Sequence, residues 1–125
     1  MEKTEDGFPK GFEPWIESEI KDKNEEHRNA FAYYVLADSD MKQYKHDEAI
    51  IKYKMAINLY DQLIAQQSGD NALYNNRGCA YYNIREYKKA VEEFDKAIEV
   101  RPDYLKAVYN RGLANHCIGE YQKAI

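Results

Sequence analysis

Thiols, imidazoles and paired carboxylates are the side chains here that could do chemistry, and their spacing gives them none. The chain carries Cys79 and Cys117, three histidines, and a Glu92–Glu93 pair. His116 and Cys117 are adjacent, and neighbours on a helix point about 100° apart, which makes a poor ligand pair. A thiol nucleophile with a histidine base needs a third group to orient the base, and none suggests itself. Cys117 reads as a small apolar residue beside His116. His27 and His46 read as surface or helix-end residues. Glu92 and Glu93 fall on a helical pattern and read as solvating charge rather than an acid/base pair. No glycine-rich phosphate loop is present. The expectation is a protein with no catalytic residues, no cofactor and no metal. What remains is side chains suited to holding a partner. Asparagine amides both donate and accept, and the twelve tyrosines bring apolar faces with polar tips.

Charge and composition narrow the partner. The formal net charge is −4 and the pI about 5.4, which argues against nucleic acid, whose phosphates require a basic face. No run approaches the roughly 18 apolar residues of a membrane helix. The start, MEKTEDGFPKGF, has no apolar core and does not read as a secretory signal. Two cysteines in no paired spacing predict a reduced, cytoplasmic protein.

The organisation follows from an internal repeat. Shifting residues 71–91 by 34 onto 105–125 gives nine identities in 21 positions without a gap: Asn76/Asn110, Arg77/Arg111, Gly78/Gly112, Ala80/Ala114, Ile84/Ile118, Glu86/Glu120, Tyr87/Tyr121, Lys89/Lys123 and Ala90/Ala124. An earlier copy aligns at a shift of 41, pairing Tyr33 with Tyr74, Ala49 with Ala90, Tyr53 with Phe94 and Ala56 with Ala97. The seven extra residues fall after Ala56, and seven residues are close to two helical turns, so one face stays inward. A rival register sets Tyr44 opposite Tyr87 with a two-residue insertion. Within 71–104, Tyr74, Gly78 and Tyr81 keep helical spacing, as do Ala90, Phe94, Ala97 and Ile98. Small residues at Gly78, Ala90 and Ala97 admit close helix approach. Asn83 to Glu86 predicts a tight turn, Pro102 a helix stop, and Asp103 a cap for the next helix.

Tyr74, Gly78, Tyr81, Ala90, Phe94, Ala97 and Pro102 together resemble the tetratricopeptide repeat over about 30–125. The resemblance implies an all-α fold, an alpha-alpha superhelix of antiparallel helix pairs, with units at about 30–70, 71–104 and an incomplete 105–125. It implies that the first helix of each pair lines a groove holding a peptide or protein segment. The groove positions it implies include Tyr34 and Asp38 in the first unit. They continue with Asn75, Asn76, Cys79, Tyr82 and Asn83 in the second, and Lys106, Tyr109, Asn110, Leu113 and His116 in the third. A co-chaperone subgroup grips a terminal carboxylate with Lys and Asn, then Asn, then Lys and Arg. Asn76 and Lys106 match that set, while Tyr34, Asp38 and Asn110 do not. Asp38 would repel a carboxylate, so no working chaperone-tail clamp is expected.

The two ends differ from the repeat. Residues 1–25 are read as an extension broken by Gly7, Pro9, Gly11 and Pro14. Three placements stay open: a cap formed by Trp15, Ile16 and Ile20, a flexible leader, or a self-ligand through Phe8, Phe12 or Trp15. The third unit is expected to stop only a few residues into its second helix, without the polar cap of a terminal unit. That predicts a longer chain or, second, a homodimer through the open unit. The leading function is a protein-interaction module; the alternatives are a self-assembling scaffold and a docking piece of a larger enzyme.

Overall fold

The computed structural model describes residues 18–67 and 69–124, which form five helices: α1 (Ser18–Lys42), α2 (His46–Gln66), α3 (Asn71–Asn83), α4 (Tyr87–Val100) and α5 (Leu105–Ala124). Each helix packs on the next, and α3 also touches α5. The expected cap of Trp15, Ile16 and Ile20, and the Phe8 and Phe12 placements, lie outside the described side chains. α1 runs through residue 25 without a break, and no proline or glycine falls between Ser18 and Lys42 to interrupt it.

The α1–α2 and α3–α4 turns are the same turn. Lys45 N–H donates to Asp40 O at 2.8 Å and Tyr44 N–H to Met41 O at 3.1 Å. Forty-one residues on, Glu86 N–H donates to Tyr81 O at 2.9 Å and Arg85 N–H to Tyr82 O at 3.0 Å. This is the paired bonding of a helix end closed by one left-handed residue. That residue is Tyr44 (φ 61°) in one turn and Arg85 (φ 68°) in the other. The gapless offset of 41 is therefore the structural register here, and the rival pairing of Tyr44 with Tyr87 is not.

The core is built from small residues against rings. Ala30, Ala37, Ala49, Ala56, Ala80, Ala90, Ala97, Ala107 and Ala114 are fully buried, and Tyr53, Tyr60 and Phe94 fill the spaces between helices. α2 has 21 residues and α4 has 14. Seven residues turn a helix through nearly two full turns, so Tyr53 and Tyr60 both point inward, one above the other. Each occupies the place that Phe94 holds alone in α4. At Gly78 the approach is closest: a Cβ there would lie 2.6 Å from Phe94 Cε1 and 2.9 Å from Cδ1.

An arginine ties successive pairs together. Arg77 Nη1 lies 2.7 Å from Asp61 on α2, while its Nε donates to Glu93 on α4 at 2.6 Å. Burial disfavours the charged guanidinium, but these two carboxylates outweigh it and raise its pKa. One unit on, Arg111 Nη1 donates to Asp95 at 2.9 Å, across the same 16-residue separation. Glu93 is only 5% exposed and is held by Arg77 and Lys96. That corrects its expected solvent-facing role: the α4 face that carries it is covered by α3.

Helix ends bring two further corrections. α4 stops at Val100, with Arg101 extended (φ −141°, ψ 94°) before Pro102, as the residue preceding proline must be. Asp70 caps α3 by accepting from Ala72 N–H at 3.0 Å. Asp103 caps nothing in this way; it pairs with Arg101 at 3.1 Å. The place equivalent to Asp70 is Tyr104. The expected second helix of the third unit is likewise not formed among the described residues, and α5 runs to Ala124. Gly119 stands where Arg85 closes the earlier turn, but a turn is favourable only when a second helix packs back.

Two comparisons check this packing. Gly78→Ala should destabilise the protein by about 1–3 kcal/mol through overpacking. Gly112→Ala has nothing within 4 Å of the new Cβ and should stabilise by up to about 1 kcal/mol through helix propensity. Urea denaturation reads both, and a Gly78→Ala protein as stable as the parent contradicts the close approach. Glu93→Ala strips a buried pair and should cost about 3 kcal/mol. Asp95→Ala removes a half-exposed one and should cost less than about 1 kcal/mol.

Candidate functional site

The residue types expected at the groove come together on one side of α1, α3 and α5. Tyr34, Cys79, Tyr82, Asn83, Asn110 and Leu113 line a depression of about 200 Å³, with Phe94 also lining it. These residues meet because α1, α3 and α5 are the first helices of successive pairs. Repeats of 41 and then 34 residues bring their equivalent faces side by side.

Amides stitch this face across helices. Asn83 Nδ2 donates to the Tyr34 hydroxyl at 3.0 Å, joining α3 to α1. Asn110 Nδ2 donates to Asn75 Oδ1 at 3.1 Å and lies 3.4 Å from Cys79 Sγ, joining α5 to α3. Tyr82 OH lies 3.5 Å from Cys117 Sγ, and the Tyr82 ring meets Tyr87 edge-on with centroids 5.4 Å apart. The Asn83 and Asn110 carbonyl oxygens have no hydrogen-bond partner among the described residues.

The remaining expected positions divide. Asn75 is buried at 5% exposure and supports Asn110 from beneath, so it is no surface contact. Asn76 lies against Tyr60, close enough to favour the ionised phenol, although the buried Tyr60 hydroxyl has no well-formed hydrogen bond. Asp38 accepts a hydrogen bond from Tyr53, whose ring packs edge-on against Tyr34 at 5.6 Å. Lys106 and Tyr109 are exposed on α5. His116 lines a separate open cleft of about 820 Å³ with Arg85, Tyr87, Cys117 and Ile118. That larger cleft shares His116 alone with the expected groove set, so the smaller depression is the better candidate site.

Burial sets the chemistry of the face. It pushes the Cys79 thiol up to about 11, with Asp38 adding to the shift, so the thiol stays protonated and unreactive near neutrality. Tyr34 and Tyr53 are also raised, first by burial. Tyr82 is pushed up to about 12, first by its hydrogen bond to Cys117 and then by burial. These groups therefore act as neutral hydrogen-bond partners, not as acids or bases. The described residues hold no cluster of metal-ligating side chains and no helix long and apolar enough to cross a membrane.

Sequence reasoning missed Phe94 and Tyr53 as parts of the site. Both read as core positions of the repeat, and their periodicity gave no hint that Phe94 also reaches the depression or that the Tyr53 hydroxyl anchors Asp38.

Residues 72–104 match the model of the tetratricopeptide repeat family. A search of curated proteins found no match. Among solved structures, the chain is similar to the second TPR of Spaghetti (RPAP3) bound to the HSP90 peptide SRMEEVD. That likeness is 26% identical with a TM-score of 0.54, over 83% of this chain and 89% of the other. It is similar also to the second TPR domain of human RPAP3 in complex with the HSP70 peptide SGPTIEEVD, at 28% identity and TM-score 0.55, over 79% and 77%. The first TPR of Spaghetti (RPAP3), at 16% identity and TM-score 0.50 over 74% and 94%, supports the fold alone. The shared turns, the Gly78–Phe94 approach and these matches together give this chain the fold of tetratricopeptide-repeat domains, stacked antiparallel helix pairs, with residues 72–104 matching that family's model.

Proposed function

We propose that this chain is a protein-interaction module that holds an extended peptide segment against the face formed by α1, α3 and α5. The observation that carries this reading is the amide-edged depression between Tyr34, Asn83 and Asn110. The side chains are already tied in place by hydrogen bonds across helices, so little ordering cost falls on binding. The free carbonyl oxygens of Asn83 and Asn110 suit main-chain N–H groups. The depression, floored by Phe94 and edged by Leu113, suits one apolar side chain. The module assigns itself no catalytic step. Its two free thiols fit a reducing, cytoplasmic setting.

The peptides in the similar structures end in an acidic EVD sequence, and here Asp38 places a carboxylate near Cys79 on this face. Its carboxylate stands at the edge of the face and opposes a free terminal carboxylate. The preferred segment is therefore internal or capped. Calorimetric titration with SRMEEVD, free and amidated at its C-terminus, tests both points together. The amidated peptide should bind at least as tightly as the free one. Asp38→Asn, which keeps an acceptor for Tyr53, should tighten the free peptide about 3- to 10-fold. Leu113→Glu and Asn83→Ala should each weaken the amidated peptide about tenfold. Affinities unchanged in all three variants contradict the assignment of this face.

A further inference from the structure

Asp38 is a half-buried carboxylate whose charge no cation meets. Its Oδ1 accepts from the neutral Tyr53 hydroxyl. Four other acids of the helix pairs hold cations: Asp40 with Lys52, Asp61 and Glu93 with Arg77, and Asp95 with Arg111. Among the described residues Asp38 has no such partner, and Lys42, four residues on, is exposed and forms no ion pair with it. A carboxylate partly withdrawn from water costs free energy until a positive charge joins it. Its charge is felt across the face: after burial, Asp38 is among the causes that raise Tyr34, Tyr53 and Cys79. The wall of α1 beside it is apolar. Phe31, Val35 and Asp38 are spaced i, i+4 and i+7, so they share one side of the helix. Phe31 is 57% exposed and Val35 46%, and Tyr34, on the same side, lines the depression.

We propose that this wall of α1 takes a lysine or arginine side chain of the bound segment, its stem along Val35 and Phe31 and its charge on Asp38 Oδ2. The inference rests on the peptide-binding reading of this face and names a residue that the reading leaves open. A long cationic side chain has the required shape, an apolar stem with a charge at its tip. An arginine gains further from the exposed Phe31 ring. A neutral side chain leaves the carboxylate without a counter-charge, and an acidic one opposes it. One group thus repels a terminal carboxylate and attracts a cation, and it selects by both signs. The cation belongs at the capped end of the segment, where the free carboxylate would otherwise stand.

Calorimetric titration of the intact chain with two C-terminally amidated peptides, SRMEEVK and SRMEEVQ, tests the inference. SRMEEVK should bind about 3- to 10-fold more tightly. Amidated KRMEEVS, of the same composition with its ends exchanged, should lose that advantage, a comparison that needs no protein variant. Asp38→Asn, which keeps an acceptor for Tyr53, should bring SRMEEVK and SRMEEVQ to about equal affinity. Asp103→Asn removes an exposed acid that pairs with Arg101 and should leave the preference intact, which separates a contact from general attraction to an acidic chain. Asn83→Ala should weaken both peptides about tenfold without changing their ratio. Circular dichroism confirms that each variant is folded. Equal binding of SRMEEVK and SRMEEVQ, with Asn83→Ala weakening both, overturns the inference and leaves the peptide-binding reading standing. A preference that survives Asp38→Asn, or that KRMEEVS shares, also overturns it, because another group then holds the cation. Binding of both peptides that ignores Asn83→Ala removes the reading and the inference together.

Discussion

The fold rests on how closely α3 and α4 approach at Gly78. The Phe94 ring occupies the space where any other residue would place a Cβ, and that contact sets the spacing of the helix pair. Ala90 and Ala97, fully buried one turn to either side, extend the approach along α4. Because the helices are this close, Glu93 is drawn under α3 and must be neutralised there, which Arg77 does. Arg77 also reaches back to Asp61, so one guanidinium fixes both the spacing within a pair and the stacking of successive pairs. A buried ion pair of this kind adds little net stability over apolar packing, but breaking it is costly. It selects one arrangement of neighbours over others.

The candidate site inherits its order from that stacking. Asn83 to Tyr34 and Asn110 to Asn75 are bonds between helices of different units. They form only if α1, α3 and α5 hold their relative positions. The face is thus organised before any ligand arrives, by contacts on its far side. The pKa pattern agrees with a recognition surface. Burial raises Tyr34, Tyr53 and Cys79, which keeps the groups uncharged and removes them from acid–base or nucleophilic work. In the proposed reading Asp38, at the margin, would discriminate among peptides by repulsion.

Much of this was legible in the residues. The 34-residue identities located α3 and α5, and Pro102 marked the end of α4. Gly78, with Ala90 and Phe94, announced the close approach. The seven-residue excess reads correctly as two extra turns, because Tyr53 and Tyr60 repeat at that interval and both face inward. What stayed hidden depends on three-dimensional neighbours. Glu93 looks like any surface glutamate until α3 is seen to cover it. Asn75 and Asn110 share a residue type, yet one lies under the other. Asp103 follows a proline and looks like a cap, but the chain's path places Tyr104 at that position. The second helix expected in the third unit has matching residues, yet α5 continues through them.

The most direct test of the central claim is side-chain amide NMR of Asn83, Asn110 and Asn75 during titration with the amidated SRMEEVD peptide. If the face between α1, α3 and α5 holds the peptide, the Nδ2 signals of Asn83 and Asn110 shift and saturate together. The Asn75 signal, buried beneath them, moves little. Saturable binding that leaves Asn83 and Asn110 unmoved would contradict the account and place the recognition surface elsewhere on the molecule.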